Sequence, residues 1–187
     1  MSSSRDGRLA NLLGALSTGL TDGLHEATVA AAGLDGAAPA ALVALLDFSS
    51  GGSVQVLSEV VGLTHSGAVR LADRLVAAGY VAKGPGRDAR SRALTLTPAG
   101  AAVAQRVRAA RERAMARAIE MLSDRQRTTL TGLCESLIGE LTRQRLEQRA
   151  AHVTPAGGAL CRMCDFSACG RDRGTCPAAQ AAARFHG

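Results

Sequence analysis

The segment VQVLSEVVGLTHSGAVRLADRLVAAGY, residues 54–80, decides the fold of this chain. It contains two helical patterns separated by a turn at Gly62. In the second pattern Thr64 is a typical helix N-cap and Gly79 is a typical helix stop, with apolar residues recurring between them every three or four positions. Two helices joined by a turn predict a helix-turn-helix. The stripe that the second helix would bury consists of Ala68, Leu71, Ala72 and Leu75.

The side of the second helix that faces away from this stripe carries small and cationic residues. Small residues allow a helix to approach a duplex closely, and arginine can bind guanine O6 and N7 or a phosphate. This composition predicts that the helix enters a major groove of DNA. The candidate contacts on it are Thr64, His65, Ser66, Gly67, Arg70 and Arg74.

A basic hairpin follows the two helices. Residues 83–92 contain four cations and two glycines, and the segment LTLT at 94–97 alternates as a returning half-buried strand would. An isolated basic loop is most simply a solvated surface. Attached to a helix-turn-helix, such a hairpin can lie along a DNA backbone or enter a minor groove. The candidate contacts on this wing are Arg87, Arg90 and Arg92.

The phrases LTHSGAVRLADRLVAAGYV, residues 63–81, and DARSRALTLTPAG, residues 88–100, resemble the MarR family of transcriptional regulators. The second phrase is similar to the family's wing pattern DxRxxxLxLTxxG, and the resemblance spans about residues 39–149. It implies a homodimer in which each protomer places its second motif helix in a major groove of a pseudo-palindromic site. It also implies that Asp88 pairs with Arg90 or Arg92 and so shapes the wing.

Composition limits the class of partner. A net charge of +6 favours a polyanion. One Tyr, three Phe and no Trp provide little surface for base stacking, which disfavours RNA and single strands. Because no apolar run is long enough for a signal peptide or a membrane span, we expect a cytoplasmic protein that binds double-stranded DNA and no membrane.

Long helical patterns flank the motif. Leucines from Leu9 to Leu24 predict a first helix through about residue 32, residues 99–121 predict a second, and Ser123 caps a third that ends near residue 150. Their leucines exceed what one small domain can bury, so we expect the excess to close a twofold homodimer. Cys134 lies within the last leucine stripe, and we expect it to be a small buried hydrophobic residue.

The sequence therefore predicts a mainly α chain, a winged helix-turn-helix with long dimerisation helices, a two-stranded wing and a small metal-binding tail. The expected order is an N-terminal dimerisation helix, the winged DNA-binding domain, the C-terminal dimerisation helices and the tail. Their boundaries are 1–36, 37–100, 101–153 and 154–187.

The tail contains four cysteines within 16 residues, in the pattern CxxC, four residues, Cys, six residues, Cys-Pro. Four unrelated surface thiols are the simplest alternative, but an ion would organise a segment with too little apolar surface for a core. Structural zinc commonly uses two CxxC pairs, whereas uneven gaps and a final Cys-Pro are closer to iron–sulfur ligation. We therefore expect a 4Fe-4S cluster, with zinc as the alternative. The candidate ligands are Cys161, Cys164, Cys169 and Cys176.

Together these features predict a MarR-type regulator, interpreted as a repressor, in which an iron–sulfur cluster acts as a sensor of redox state or of iron. With zinc instead, the tail would be a structural clasp and the chain would sense a small molecule. A redox enzyme or electron carrier is disfavoured because no nucleotide-binding glycine motif or catalytic constellation stands out, so we expect no enzymatic activity. A purely structural module would leave the wing cations without a role.

Overall fold

The computed structural model describes residues 2–47, 50–86, 92–153 and 157–186. In these residues the predicted mainly α architecture with a two-stranded wing is confirmed. The two strands are antiparallel, with Val81 opposite Leu96 and Pro85 opposite Arg92. The elements are α1 (Ser2–Ala32), α2 (Ala38–Asp47), α3 (Val54–Val61), α4 (His65–Ala77), β1 (Val81–Pro85), β2 (Arg92–Leu96), α5 (Pro98–Ala118), α6 (Asp124–Ala150) and α7 (Pro177–His186).

Short polar side chains fix where the helices begin. The hydroxyl of Ser53 accepts a hydrogen bond from Val56 N at the start of α3, and Thr64 accepts one from Gly67 N at the start of α4. Thr97 caps α5 in the same way, and Ser123 forms a capping box with Gln126 on α6. These caps satisfy backbone N–H groups that have no partner inside the helix. Residues close together in the sequence therefore decide where each helix begins.

One core holds α2, α3, α4, β2 and α5 together. The predicted stripe of α4 is buried, as expected, and packs in this core. Burying a leucine or valine side chain contributes about 1.5–3 kcal/mol, so the core side chains dominate the stability of this head. The largest fully buried side chains are Leu42, Leu45, Leu57, Leu75, Leu94, Val43 and Val107.

The long helices α1 and α6 leave apolar side chains in solvent. In α6 no residue is buried, and its principal packing partner among the helices is α7. The prediction that Cys134 is buried is wrong for the single chain, because no described element covers this side of α6 and the thiol is exposed. The exposed apolar side chains are Leu9, Leu12, Leu13 and Leu16 on α1, and Leu133, Leu137, Ile138 and Leu141 on α6.

None of the helices in the described part of the chain combines the length and the hydropathy that crossing a lipid bilayer requires.

Gly100 provides a direct test of how α5 is seated against the wing. A Cβ atom at this position would overlap the carbonyl oxygen of Tyr80, because α5 passes directly over the residue that precedes β1. We expect Gly100→Ala to lower the free energy of unfolding by about 1–3 kcal/mol, as overpacked sites do. Urea unfolding followed by circular dichroism measures this.

The matched control is Gly132→Ala on α6, where a Cβ atom would meet nothing within 4 Å. This substitution should raise the stability by up to about 1 kcal/mol, because alanine is the better helix former. Equal stability of the two variants would contradict the packing of α5 on the wing.

Candidate nucleic-acid interface and cysteine loop

The first turn of α4 presents the predicted DNA-contacting residues to solvent. Thr64, His65 and Ser66 are exposed, and Gly67 is half-buried. The hydroxyl of Thr64 is already engaged, because it accepts the hydrogen bond from Gly67 N at 3.2 Å that begins the helix. The exposed surface of this turn is therefore small and polar, which is the shape that close approach to a groove requires.

The two arginines of α4 differ in what they contact. Arg70 is exposed, and among the described residues no hydrogen bond or ion pair engages its guanidinium. Arg74 Nη1 binds Asp35 Oδ1 at 2.9 Å, and Nη2 donates to the carbonyl oxygen of Asp35 at 2.6 Å. Arg74 therefore ties α4 to the turn between α1 and α2, and its predicted contact with DNA would compete with this pairing.

A chain of polar side chains positions His65. Its Nδ1 lies 3.2 Å from Gln55 Oε1, and Gln55 Nε2 donates to Glu59 Oε1 at 2.9 Å. Gln55 is a residue that the sequence reasoning missed. Its spacing of four from Glu59 on an amphipathic helix signals that pair, whereas the contact with His65 depends on how α3 and α4 are packed.

The wing is anchored to α4 by an ion pair between Lys83 Nζ and Asp73 Oδ1, at 2.5 Å. Arg92 begins β2 and is exposed. Arg87, Arg90 and Asp88 lie outside the described residues, so their predicted DNA contacts and the predicted pairing of Asp88 stay predictions.

Residues 157–176, called the cysteine loop below, bring the four predicted ligands together as two pairs. The thiol of Cys161 interacts with that of Cys164, and the thiol of Cys169 interacts with that of Cys176 while donating a hydrogen bond to Phe166 O at 3.5 Å. The pairs also interact electrostatically, Cys161 with Cys176 and Cys164 with Cys169. Cys176 is buried and the other three are half-buried, and none forms a disulfide. Within the described ranges, no three His, Cys, Asp or Glu side chains already surround one point as ligands of a single ion.

The thiol pair nearest the start of the loop is strongly polarised. The hydrogen bond to Cys164 raises the pKa of Cys161 far above its usual range, and burial adds to this rise. The same hydrogen bond lowers the pKa of Cys164 to about 6, and Arg111 of α5 contributes to the lowering against the effect of burial. Burial raises the pKa of Cys169. Cys164 is therefore the more acidic thiol of this pair.

Arg171 and Met163 of the cysteine loop make separate contacts. The guanidinium of Arg171 lies 4.8 Å from the centre of the Phe166 ring and also favours the thiolate form of Cys161. Met163 is half-buried against the core of the head.

The low pKa of Cys164 predicts that the reactivity of this thiol depends on pH in protein from which any metal has been removed. Because this pKa is depressed to about 6, the reactive thiolate is present above that pH and is lost below it. Iodoacetamide should therefore label Cys164 at neutral pH, with a rate that falls by half near pH 6, while Cys161 stays slow. Peptide mass spectrometry measures both rates. Labelling of the two thiols together and only in alkaline solution would contradict the polarised pair.

Comparison with known proteins identifies the fold. No family profile matches the sequence, and no curated protein matches it significantly. A MarR family protein from Bacillus stearothermophilus matches with a TM-score of 0.65 and 24% identity, over 76% of this chain and 99% of that chain. The YusO protein from Bacillus subtilis matches with a TM-score of 0.62 and 22% identity, over 73% of this chain and 96% of that chain.

The MarR family protein Rv2887 from Mycobacterium tuberculosis, in a structure with DNA, matches with a TM-score of 0.57 and 26% identity. That match covers 69% of this chain and 96% of the other. The known structures are thus covered almost completely, while about a quarter to a third of this chain has no counterpart in them. The structural neighbours of this chain are therefore MarR family transcriptional regulators, and it has their winged helix fold.

Proposed function

We propose that this chain is a MarR-type transcriptional repressor that binds a pseudo-palindromic site in double-stranded DNA as a homodimer. The observation that carries the proposal is the exposed first turn of α4, with the guanidinium of Arg70, which no described residue engages, one turn further along. The net charge of +6 favours the same partner. Rv2887, which has this fold, was solved in complex with DNA.

The homodimer rests on the exposed leucines of α1 and α6. Apolar side chains on one face of a long helix are stabilised when a second copy covers them, and a twofold axis lets the same face serve both chains. Such an axis would also present two copies of α4 to the two halves of a palindromic site. An enzyme or electron carrier is less well supported, because the sequence carries no nucleotide-binding glycine motif.

We also propose that the cysteine loop binds a metal centre, a 4Fe-4S cluster in preference to zinc. The donor set fits chemically, because the loop supplies four thiols that are shielded from solvent in part or in full, and Cys164 favours the thiolate form that metals require. Arg111 and Arg171 supply positive charge beside the thiols. Binding would draw the two thiol pairs toward one centre, which the loop permits because it consists of turns.

The cluster would give the regulator its redox sensitivity, since its loss would free a loop that has no core of its own. If the metal is zinc, a small molecule becomes the natural signal. A cavity of about 290 Å³ lies where α1, α2 and the cysteine loop meet, lined in part by Leu24, His25, Pro39 and Met163. Rv2887 was also solved in complex with salicylic acid.

The DNA proposal is tested by replacing the two arginines of α4. Arg70→Ala should weaken binding to the duplex upstream of the protein's own gene by about 1–3 kcal/mol and reduce the salt dependence, without lowering Tm. Arg74→Ala should lower Tm only slightly, because the pairing with Asp35 that it breaks is exposed to solvent. Fluorescence anisotropy across a salt series measures the binding, and thermal unfolding measures Tm. Sedimentation of the complex checks for the expected two chains per site.

Arg125→Ala is the matched control, because Arg125 is an exposed cation at the start of α6, on a different element from the reading helix. It should bind DNA as the unaltered protein does. If Arg70→Ala and Arg125→Ala bind equally well, α4 is not the reading helix.

The metal proposal is tested on protein purified without oxygen. We expect a coloured protein with about four iron and four sulfide per chain, as a 4Fe-4S cluster has. Cys169→Ser should lose the colour, whereas Cys134→Ser should keep it, because Cys134 lies on α6 outside the loop. A colourless protein with one zinc would establish the alternative, and absence of both metals would end the metal proposal.

A further inference from the structure

We propose that the cysteine loop acts on DNA binding through a direct backbone contact with the turn of the helix-turn-helix, so that the metal state sets the position of α4. This inference rests on the proposed function and adds the route of regulation. Its centre is Gly158, the second residue of the cysteine loop, which is seated against the turn at Gly62 between α3 and α4. We call this contact the clasp.

The clasp completes the end of α3. The last carbonyl groups of a helix have no partner within it, and they need one from outside. Ser58 O accepts from Gly62 N and Leu63 N, at 2.9 and 3.0 Å. Val60 O instead accepts a hydrogen bond of 2.8 Å from Ala159 N of the cysteine loop. The loop thus supplies a hydrogen bond to the helix that immediately precedes the reading helix.

Glycine is required on both sides of this contact. Gly62 and Gly158 have left-handed backbones, with φ of 73° and 70°. A Cβ atom on Gly158 would lie 2.5 Å from both Gly62 N and Val60 O, and a Cβ atom on Gly62 would overlap Gly158 in turn. The two backbones therefore touch with no side chain between them, so any shift of Gly158 is transmitted directly to the turn.

The other side of the clasp is held by the last part of α6. Arg145 of α6 donates a hydrogen bond through Nη1 to Gly158 O. Because α6 carries the exposed leucines assigned to the dimer, this bond connects the proposed dimer helix to the head through one glycine. The clasp thus lies between α6, which is assigned to the dimer, and α4, which is assigned to DNA binding.

The thiols are connected to the clasp by a short, hydrogen-bonded turn. Ala159 O accepts from Arg162 Nη1 at 2.9 Å and from Arg162 N at 3.3 Å. Arg162 stands between the first two thiols, and Cys164 N donates to Cys161 O at 2.9 Å. Drawing Cys161 and Cys164 onto a metal would therefore fix the turn that contains Ala159 and hold Gly158 in place.

A second anchor joins the loop to the rest of the head. Asp165 follows Cys164, and its Oδ1 accepts hydrogen bonds from Ser167 N and Ala168 N. Its Oδ2 lies 3.8 Å from Arg108 Nε of α5, and Arg108 Nη1 binds Asp47 Oδ2 at the end of α2 at 2.9 Å. The loop is thereby seated on the head at two points, one on each side of its first thiol pair.

The experiment compares Gly158→Ala with Gly157→Ala in the full-length protein. Both glycines have positive φ, 70° and 79°, so alanine strains the backbone similarly at either site. A Cβ atom on Gly158 meets α3, whereas one on Gly157 meets only the tip of Arg145, at 4.0 Å. Arg145→Met is a third variant, which removes the bond from α6 without adding a Cβ atom.

Each variant is studied as purified under nitrogen, after removal of the metal, and after reloading with iron and sulfide if the purified protein is coloured or with Zn²⁺ if it is not. Hydrogen exchange of the peptides covering residues 57–67 reports the clasp, and anisotropy with the upstream duplex reports DNA binding. In the unaltered protein, metal removal should speed exchange in these peptides and change duplex affinity about tenfold, within the usual range of coupling between two sites. Gly157→Ala should behave in the same way.

Gly158→Ala with its metal content intact should already show the fast exchange and the duplex affinity of the metal-free protein. Arg145→Met should show a smaller shift in the same direction. Retention of the full metal response by Gly158→Ala, or slow exchange in unaltered protein stripped of metal, would overturn the clasp. Metal-dependent exchange in a protein that binds no duplex would leave the clasp standing and refute the proposed function.

Discussion

The left-handed turn at Gly62 is the constraint on which the reading head depends. It ends α3, sets the angle at which α4 departs, and leaves room for the backbone of Gly158. A side chain at this position would be strained by its own φ and would also overlap the loop that docks there. The turn at Gly62 therefore both ends α3 within the helix-turn-helix and leaves the space that the cysteine loop needs.

The head and the long helices are stabilised by different means. The head has its own core, in which α2, α3, α4, β2 and α5 contribute fully buried side chains. In contrast, α6 buries no residue on the single chain, although it is long, well capped and carries ion pairs between Arg143 and both Glu140 and Glu147. Exposed pairs of this kind add little stability, so a covering surface is the natural complement to α6.

The cysteine loop combines a polarised thiol pair with close backbone contacts. Its turns contain few apolar side chains of their own, so its position depends on what it touches. Those contacts are made by Val60, Arg108 and Arg145, which belong to three different helices. Because the loop depends on these contacts, the proposed effect of metal binding at the thiols would reach all three helices through them.

The sequence by itself determined the local structure. The N-caps Ser53, Thr64 and Thr97, the glycine stops and the periodicity of α4 fix the helices, since each acts within four residues along the chain. The alternation of residues 94–97 likewise fixed the returning strand of the wing.

Only the tertiary structure decided which distant groups meet. Arg74 pairs with Asp35, 39 residues away, His65 meets Gln55 across two helices, and Gly158 docks on Gly62. The exposure of Cys134 also depends on what packs beside α6. These contacts depend on how whole helices pack and on where the cysteine loop lies. The spacing of residues along the sequence does not encode them.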